Sequence, residues 1–136
     1  MTGASPRRVL VDTNVVIDLL RARPVAIDTV RERVASGDAL CMSVLSRFEI
    51  RSGARPNELR EVTEHLSLYE PVDVTSEVAD RAGELAARYR RSHRAIDAID
   101  YVIAATSELH ADELLTLNVK HFPMIADLRP AYRITS

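Results

Sequence analysis

Short apolar runs alternate with helix-periodic stretches along nearly the whole chain, and that alternation constrains the fold more than any other feature. Arg8–Asp12 (RVLVD) is a short apolar run ending in a carboxylate, the pattern of a strand buried on both faces. Ala39–Ser43, the Pro71, Val72 and Val74 stretch, and Leu114–Leu117 supply three more strands, with Tyr132–Ile134 a candidate fifth. Helices fill the intervals. Thr13-Asn14 caps one running to about Leu20, and Pro24 suits the first turn of a second, in which Ile27, Val30 and Val34 recur at helical spacing. Val44–Ser52 reads as a short helix stopped by Gly53, and Leu59, Val62 and Leu66 mark a fourth. Thr75 or Ser76 caps a long helix with Val78, Ala82, Leu85, Ala86 and Tyr89 on one face. Asp97–His110, alanine-rich at its centre, is the last.

Strands separated by helices pair in parallel, so the expected architecture is α/β: a mostly parallel sheet of four to five strands flanked by helices. A chain of 136 residues supports one core, predicting a single domain over residues 1–136 with 1–7 as a flexible N-terminal extension. No apolar run reaches the roughly 18 residues a membrane span needs, and Asp12 follows the N-terminal arginines too closely for a signal-peptide core. The single Cys41 cannot form an internal disulfide and sits in an apolar run, which predicts a buried thiol. A cytoplasmic protein with no membrane partner is the expectation.

The net charge of −2 gives no general sign of nucleic-acid binding, but its distribution is uneven. Arg88, Arg90, Arg91 and Arg94 crowd together just before Asp97 and Asp100. Such a stretch is either a solvated helix end or a phosphate-contacting patch.

The acids carry the chemistry. In open parallel sheets ligands bind beyond the carboxyl ends of the strands. Asp12 ends the first strand, Glu49 lies in the helix after the second, Asp97 and Asp100 open the helix before the fourth, and Asn118 follows that strand. Carboxylate and amide oxygens are hard ligands suited to Mg²⁺ or Mn²⁺, and grouped carboxylates need a cation to offset their repulsion. Asp97 is also a natural helix cap with Asp100 at the third helical position, and Ser46–Glu49 matches a capping box, although a helix start at Ser43 fits better. A phosphate-accepting aspartate site would want a second acid where Asn14 stands, and a well-placed lysine where the chain has only Lys120. No nucleophile elbow, Walker loop or zinc helix is present, and the histidines at 65, 93, 110 and 121 lack metal-ligand spacing and read as surface or structural groups.

Val9–Asp18, Ser43–Ile50, Asp100–Thr106 and Leu115–Phe122 resemble, in order, the four motifs of PIN-domain proteins, and the short chain is similar to the VapC toxins of toxin–antitoxin pairs. The resemblance implies a Mg²⁺- or Mn²⁺-dependent endoribonuclease, usually a homodimer, silenced by a cognate VapB-like antitoxin. By motif, Asp12, Glu49 and Asp100 become metal-binding carboxylates and Asn118 takes a fourth catalytic position that is often aspartate. Asp97, one helical turn from Asp100, is a further candidate ligand. Thr13, Ser46 and Thr116 would orient carboxylates or waters. Arg88, Arg90, Arg91 and Arg94 would hold RNA phosphates. The competing expectation, motivated by Asn118, is a non-catalytic PIN-like module that binds RNA or protein.

Overall fold

The computed structural model describes residues 5–134. Arg8–Val11 forms strand β1, and helices α1 (Thr13–Leu20) and α2 (Pro24–Ala35) lead to β2 (Ala39–Ser43). Helix α3 (Val44–Gly53), a 3-10 turn at Pro56–Glu58 and α4 (Leu59–Leu66) lead to β3 (Glu70–Val72). Helices α5 (Ser76–Tyr89) and α6 (Ala98–His110) precede β4 (Glu113–Leu115), and a 3-10 turn follows at Val119–His121. The four strands are all parallel, in the order β3-β2-β1-β4.

The centre of the sheet explains the uninterrupted apolar run. Val9 and Val11 are fully buried on one face and Leu10 is 1% exposed on the other, because β1 lies between β2 and β4 with helices above and below. Val9 and Val11 pack with Val15 and Val16 of α1, Ala26 and Val30 of α2, Ile50 of α3 and Val62 and Leu66 of α4. Leu10 packs with Val78, Ala82 and Leu85 of α5 and with Ile103, Ala104 and Ala105 of α6. The two alanines let α6 lie close to its neighbours, as the composition of that helix predicts. Cys41 is buried in this second layer.

Several sequence expectations shift. The α1 cap is Asp12, whose Oδ1 accepts the Thr13 backbone N–H; Thr13 is already helical and its hydroxyl is used elsewhere. Ser43 caps α3 through the Leu45 N–H, and Gly53 is the last residue inside that helix. Strand β4 ends at Leu115, and Tyr132–Ile134 forms no strand. After Pro130, the Ala131 N–H bonds to Thr116 C=O and ties that segment to the end of β4, and the Tyr132 hydroxyl donates to buried Asp18. Of the expected N-terminal extension, residues 1–4 lie outside the described residues; Ser5–Arg7 are exposed, and Arg7 C=O accepts the Ala39 N–H.

The strand order fixes where a ligand has room. From β1 the chain passes to β2 and β3 on one side, then returns to place β4 on the other. The connections diverge between β1 and β4, and the crevice beyond their carboxyl ends is where side chains from α1 and α6 can converge.

Candidate active site

Asp12 stands at this point, the first residue beyond β1, with its backbone N–H bonded to Leu115 C=O across to β4. Its side chain is held by the loop after β4. Thr116, completely buried, donates its hydroxyl to Asp12 Oδ2 at 2.8 Å, and the Asn118 backbone N–H donates in turn to Thr116 Oγ1. Asn14 Nδ2 approaches the same Oδ2 at 3.4 Å, while Asn14 Oδ1 accepts the Leu117 N–H. Burial pushes the Asp12 carboxyl above its ordinary range, and the Thr116 and Thr13 donors recover part of that cost.

Glu49 comes from the second turn of α3, and its Oε1 accepts the Thr13 hydroxyl at 2.8 Å. Thr13 therefore links α1 to α3. Asp97 caps α6, accepting the Asp100 N–H at 3.0 Å, and Asp100 Oδ2 accepts the Asp97 N–H in return. The capping arrangement anticipated for this pair is real, and it leaves both carboxylates at the cavity. Asp100 is pushed up to about 6, first by burial and then by the charges of Asp97 and Asp12, against the Asp97 N–H and a His121 imidazole whose Nδ1 lies 3.1 Å from Oδ2.

Asp12, Thr13, Asn14, Glu49, Asp97, Asp100 and Asn118 line one cavity of about 240 Å³. Asn118 itself is exposed, and only its backbone is tied down. Ile17 and Glu49 also line a larger groove of about 410 Å³ between α1, α3 and α4, with Leu20, Ile50 and Val62 as apolar walls and Glu58 and Glu61 among its acids.

The donor set is one a hard divalent cation would use: carboxylate oxygens from three separate elements. Asp100 Oδ1 and Glu49 Oε2 have no protein hydrogen-bond donor among the described residues. As they stand, no three acidic, imidazole or thiol side chains among the described residues are close enough to enclose a cation.

The remaining expectations fare unevenly. Ser46 is fully buried and its hydroxyl has no partner, so it orients neither Glu49 nor Asp12: its position on the α3 face that includes Ile50 points it into the core. Arg88, Arg90, Arg91 and Arg94 lie outside the cavity, at the end of α5 and in the turn that follows. All four are exposed and none forms a salt bridge among the described residues. Two residues at the site were not anticipated. Asn14 had only the signal of a polar residue two positions after Asp12, and His121 only its place next to the Asn118 segment.

Comparison with known proteins agrees with the fold. The family model described as PIN domain matches residues 9–128. The chain is 43% identical over 123 residues to Ribonuclease VapC19 of Mycobacterium tuberculosis, covering 90% of this chain and 98% of that one. It is 40% identical over 126 residues to Ribonuclease VapC10 of the same organism, covering 93% and 94%. Among solved structures, a toxin-antitoxin complex from Klebsiella pneumoniae superposes with a TM-score of 0.78 at 28% identity, over 93% of this chain and 99% of that one.

Proposed function

Because the chain belongs to the PIN domain family, we propose that it is a divalent-cation-dependent endoribonuclease, the toxin of a toxin–antitoxin pair. The observation that carries this is the convergence of Asp12, Glu49 and Asp100, from three elements, on one cavity at the point where the strand order reverses. Mg²⁺ or Mn²⁺ held by these three carboxylates would supply Lewis-acid polarisation of a phosphodiester and activation of water near neutral pH. The protein's own part is orientation. Thr116 and Asn14 fix Asp12, Thr13 fixes Glu49, and the α6 cap fixes Asp100. The exposed arginines at the end of α5 and in the turn after it would hold flanking RNA phosphates, which makes binding salt-dependent.

Three carboxylates supply three negative charges, and the neutral Asn118 adds none. One cation is balanced by them; a second lacks a charged ligand unless Asp97 or a substrate phosphate contributes. The RNA-free protein therefore has at most one well-occupied metal site. The relatives' names and the toxin–antitoxin neighbour support a VapB-like antitoxin as partner. Its inhibitory segment would lie in the groove beside Glu49, with apolar side chains against Leu20, Ile50 and Val62 and an arginine reaching the acids, since a guanidinium matches paired carboxylates. Such a toxin works in the cytoplasm, and a homodimer fits the family.

The test is expression in a bacterial host together with cleavage by the purified protein. Growth arrest relieved by the neighbouring antitoxin gene, and RNA cleavage that EDTA stops and Mn²⁺ restores, support the proposal. A folded, Mn²⁺-binding protein that binds RNA without cutting it favours the non-catalytic module motivated by Asn118. A folded protein without effect on growth or RNA overturns the toxin assignment.

A further inference from the structure

His121 closes the 3-10 turn at Val119–His121, and both flanks of that turn are anchored. On one side the Asn118 N–H is bonded to the same Thr116 hydroxyl that donates to Asp12. On the other, Phe122 is 1% exposed in the core under α5 and α6. The imidazole is thus carried on a segment registered to the cavity rather than on a free loop. Its Nδ1 lies 3.1 Å from Asp100 Oδ2.

The distribution of contacts on Asp100 gives this pairing a purpose. Oδ2 takes both His121 and the Asp97 backbone N–H, at 3.1 and 3.2 Å, while Oδ1 has no protein donor among the described residues. A carboxylate with one oxygen bonded to a backbone N–H and approached by an imidazole has that side occupied and its other oxygen left for a ligand. We infer that His121 is a positioning residue for Asp100, pinning one carboxylate oxygen so that the other is presented to the cation. This rests on the proposed function, in which Asp100 is one of the carboxylates holding that cation. Groups that orient metal-binding side chains commonly matter about 10- to 100-fold in metal affinity. An imidazole that acted only as a positive charge would repel the cation instead, and the two accounts predict opposite signs.

The experiment is a calorimetric Mn²⁺ titration of the RNA-free protein, comparing the unmodified chain with His121→Ala and His121→Asn, with circular dichroism to check folding. The asparagine amide can donate to Oδ2 from nearly the place of Nδ1. The inference predicts that His121→Ala weakens Mn²⁺ binding about 10-fold or more and that His121→Asn recovers most of it. RNA cleavage by His121→Ala should need correspondingly more Mn²⁺ for half-maximal rate while approaching the unmodified rate at saturation. Unchanged or tighter binding by His121→Ala overturns the inference, as does His121→Asn binding no better than alanine. If His121→Ala fails to fold, His121→Asn alone decides: affinity within about threefold of the unmodified chain supports positioning, and a 10-fold loss contradicts it. No Mn²⁺ binding by the unmodified protein is a different failure, because it removes the metal assignment itself and this inference with it.

Discussion

The two ends of the one parallel sheet treat their carboxylates in opposite ways. At the amino ends of the strands every acid near the sheet has a cationic or backbone partner. Glu113 meets Arg7 at 2.6 Å and also pairs with Arg33; Arg33 reaches Asp38 at 3.3 Å, Asp112 accepts the Arg8 backbone N–H, and Glu70 meets the Arg8 guanidinium. Burial alone would push Glu113 up, yet its two arginines hold it below its ordinary range. At the carboxyl ends Asp12, Glu49, Asp97 and Asp100 share a cavity, and among the described residues His121 is the only basic side chain paired with any of them. Burial there is only partly compensated, and Asp12 and Asp100 are raised. The acids at the amino ends are matched by arginines or backbone; Asp12 and Asp100 cap helices yet keep a burial cost that a cation would offset.

The largest effect that sharpens this contrast is on activity. Asp12→Asn and Asp100→Asn should each reduce RNA cleavage by about 100-fold or more while leaving the thermal unfolding midpoint unchanged or higher. A drop of several degrees in the midpoint with cleavage retained would make these acids structural and end the contrast. At the other end the pattern should invert. Glu113→Gln should cost about 1–2 kcal/mol in urea unfolding, because two guanidinium groups lose their partner, with cleavage unaffected.

The two ends should also respond oppositely to acid. Asp100 titrates near 6 in the folded protein, above its ordinary 3.8, so its burden on stability is fully present above pH 6 and is relieved as the pH falls toward 3.8. Glu113 is lowered from 4.5, so its contribution is fully present above that value and is lost as the pH falls through its folded pKa. Stability measured against pH should therefore carry a component that rises on acidification between pH 6 and 4, absent in Asp100→Asn, and an acid-side loss absent in Glu113→Gln. An unaltered pH profile in both variants would contradict the assignment. The smallest effects belong to the margin of the cavity. Asn118→Asp should strengthen binding of a second Mn²⁺ several-fold, as one more nearby charge would (roughly 1 kcal/mol). If Asp97 contributes charge, Asp97→Ala should weaken Mn²⁺ binding to a similar degree. If it changes neither Mn²⁺ affinity nor cleavage, Asp97 is only the α6 cap.

What was legible in the sequence follows from how local the controlling interactions are. β1 was readable because a central strand buried on both faces must be apolar at every position, as Val9, Leu10 and Val11 are. The caps at Ser43, Thr75 and Asp97 were readable because each side chain bonds an N–H within its own first turn. Tyr132–Ile134 misled because Tyr and Ile favour strands, whereas here Tyr132 is buried by its hydroxyl's bond to Asp18, 114 residues away. The same reach hid part of the site. Asn14 matters through Leu117, brought near by the parallel pairing of β1 with β4, and His121 through Asp100, brought near by the return of α6 into β4. Ser46 failed in the opposite sense: its i, i+3 spacing from Glu49 suggested support, but Ser46 is fully buried with its hydroxyl unpartnered, while Glu49 takes its hydrogen bond from Thr13 instead.

The central claim is that the unmatched acids at the carboxyl end of the sheet are completed by a divalent cation. It is tested most directly by thermal unfolding of the RNA-free protein at pH 7, with and without Mn²⁺, for the unmodified chain and Asp100→Asn. Binding to the folded state alone should stabilise the unmodified protein by about 2.7 kcal/mol at 100 times the dissociation constant, with little or no shift for Asp100→Asn. Equal midpoints with and without Mn²⁺ in the unmodified protein, or the same shift in both proteins, would contradict it.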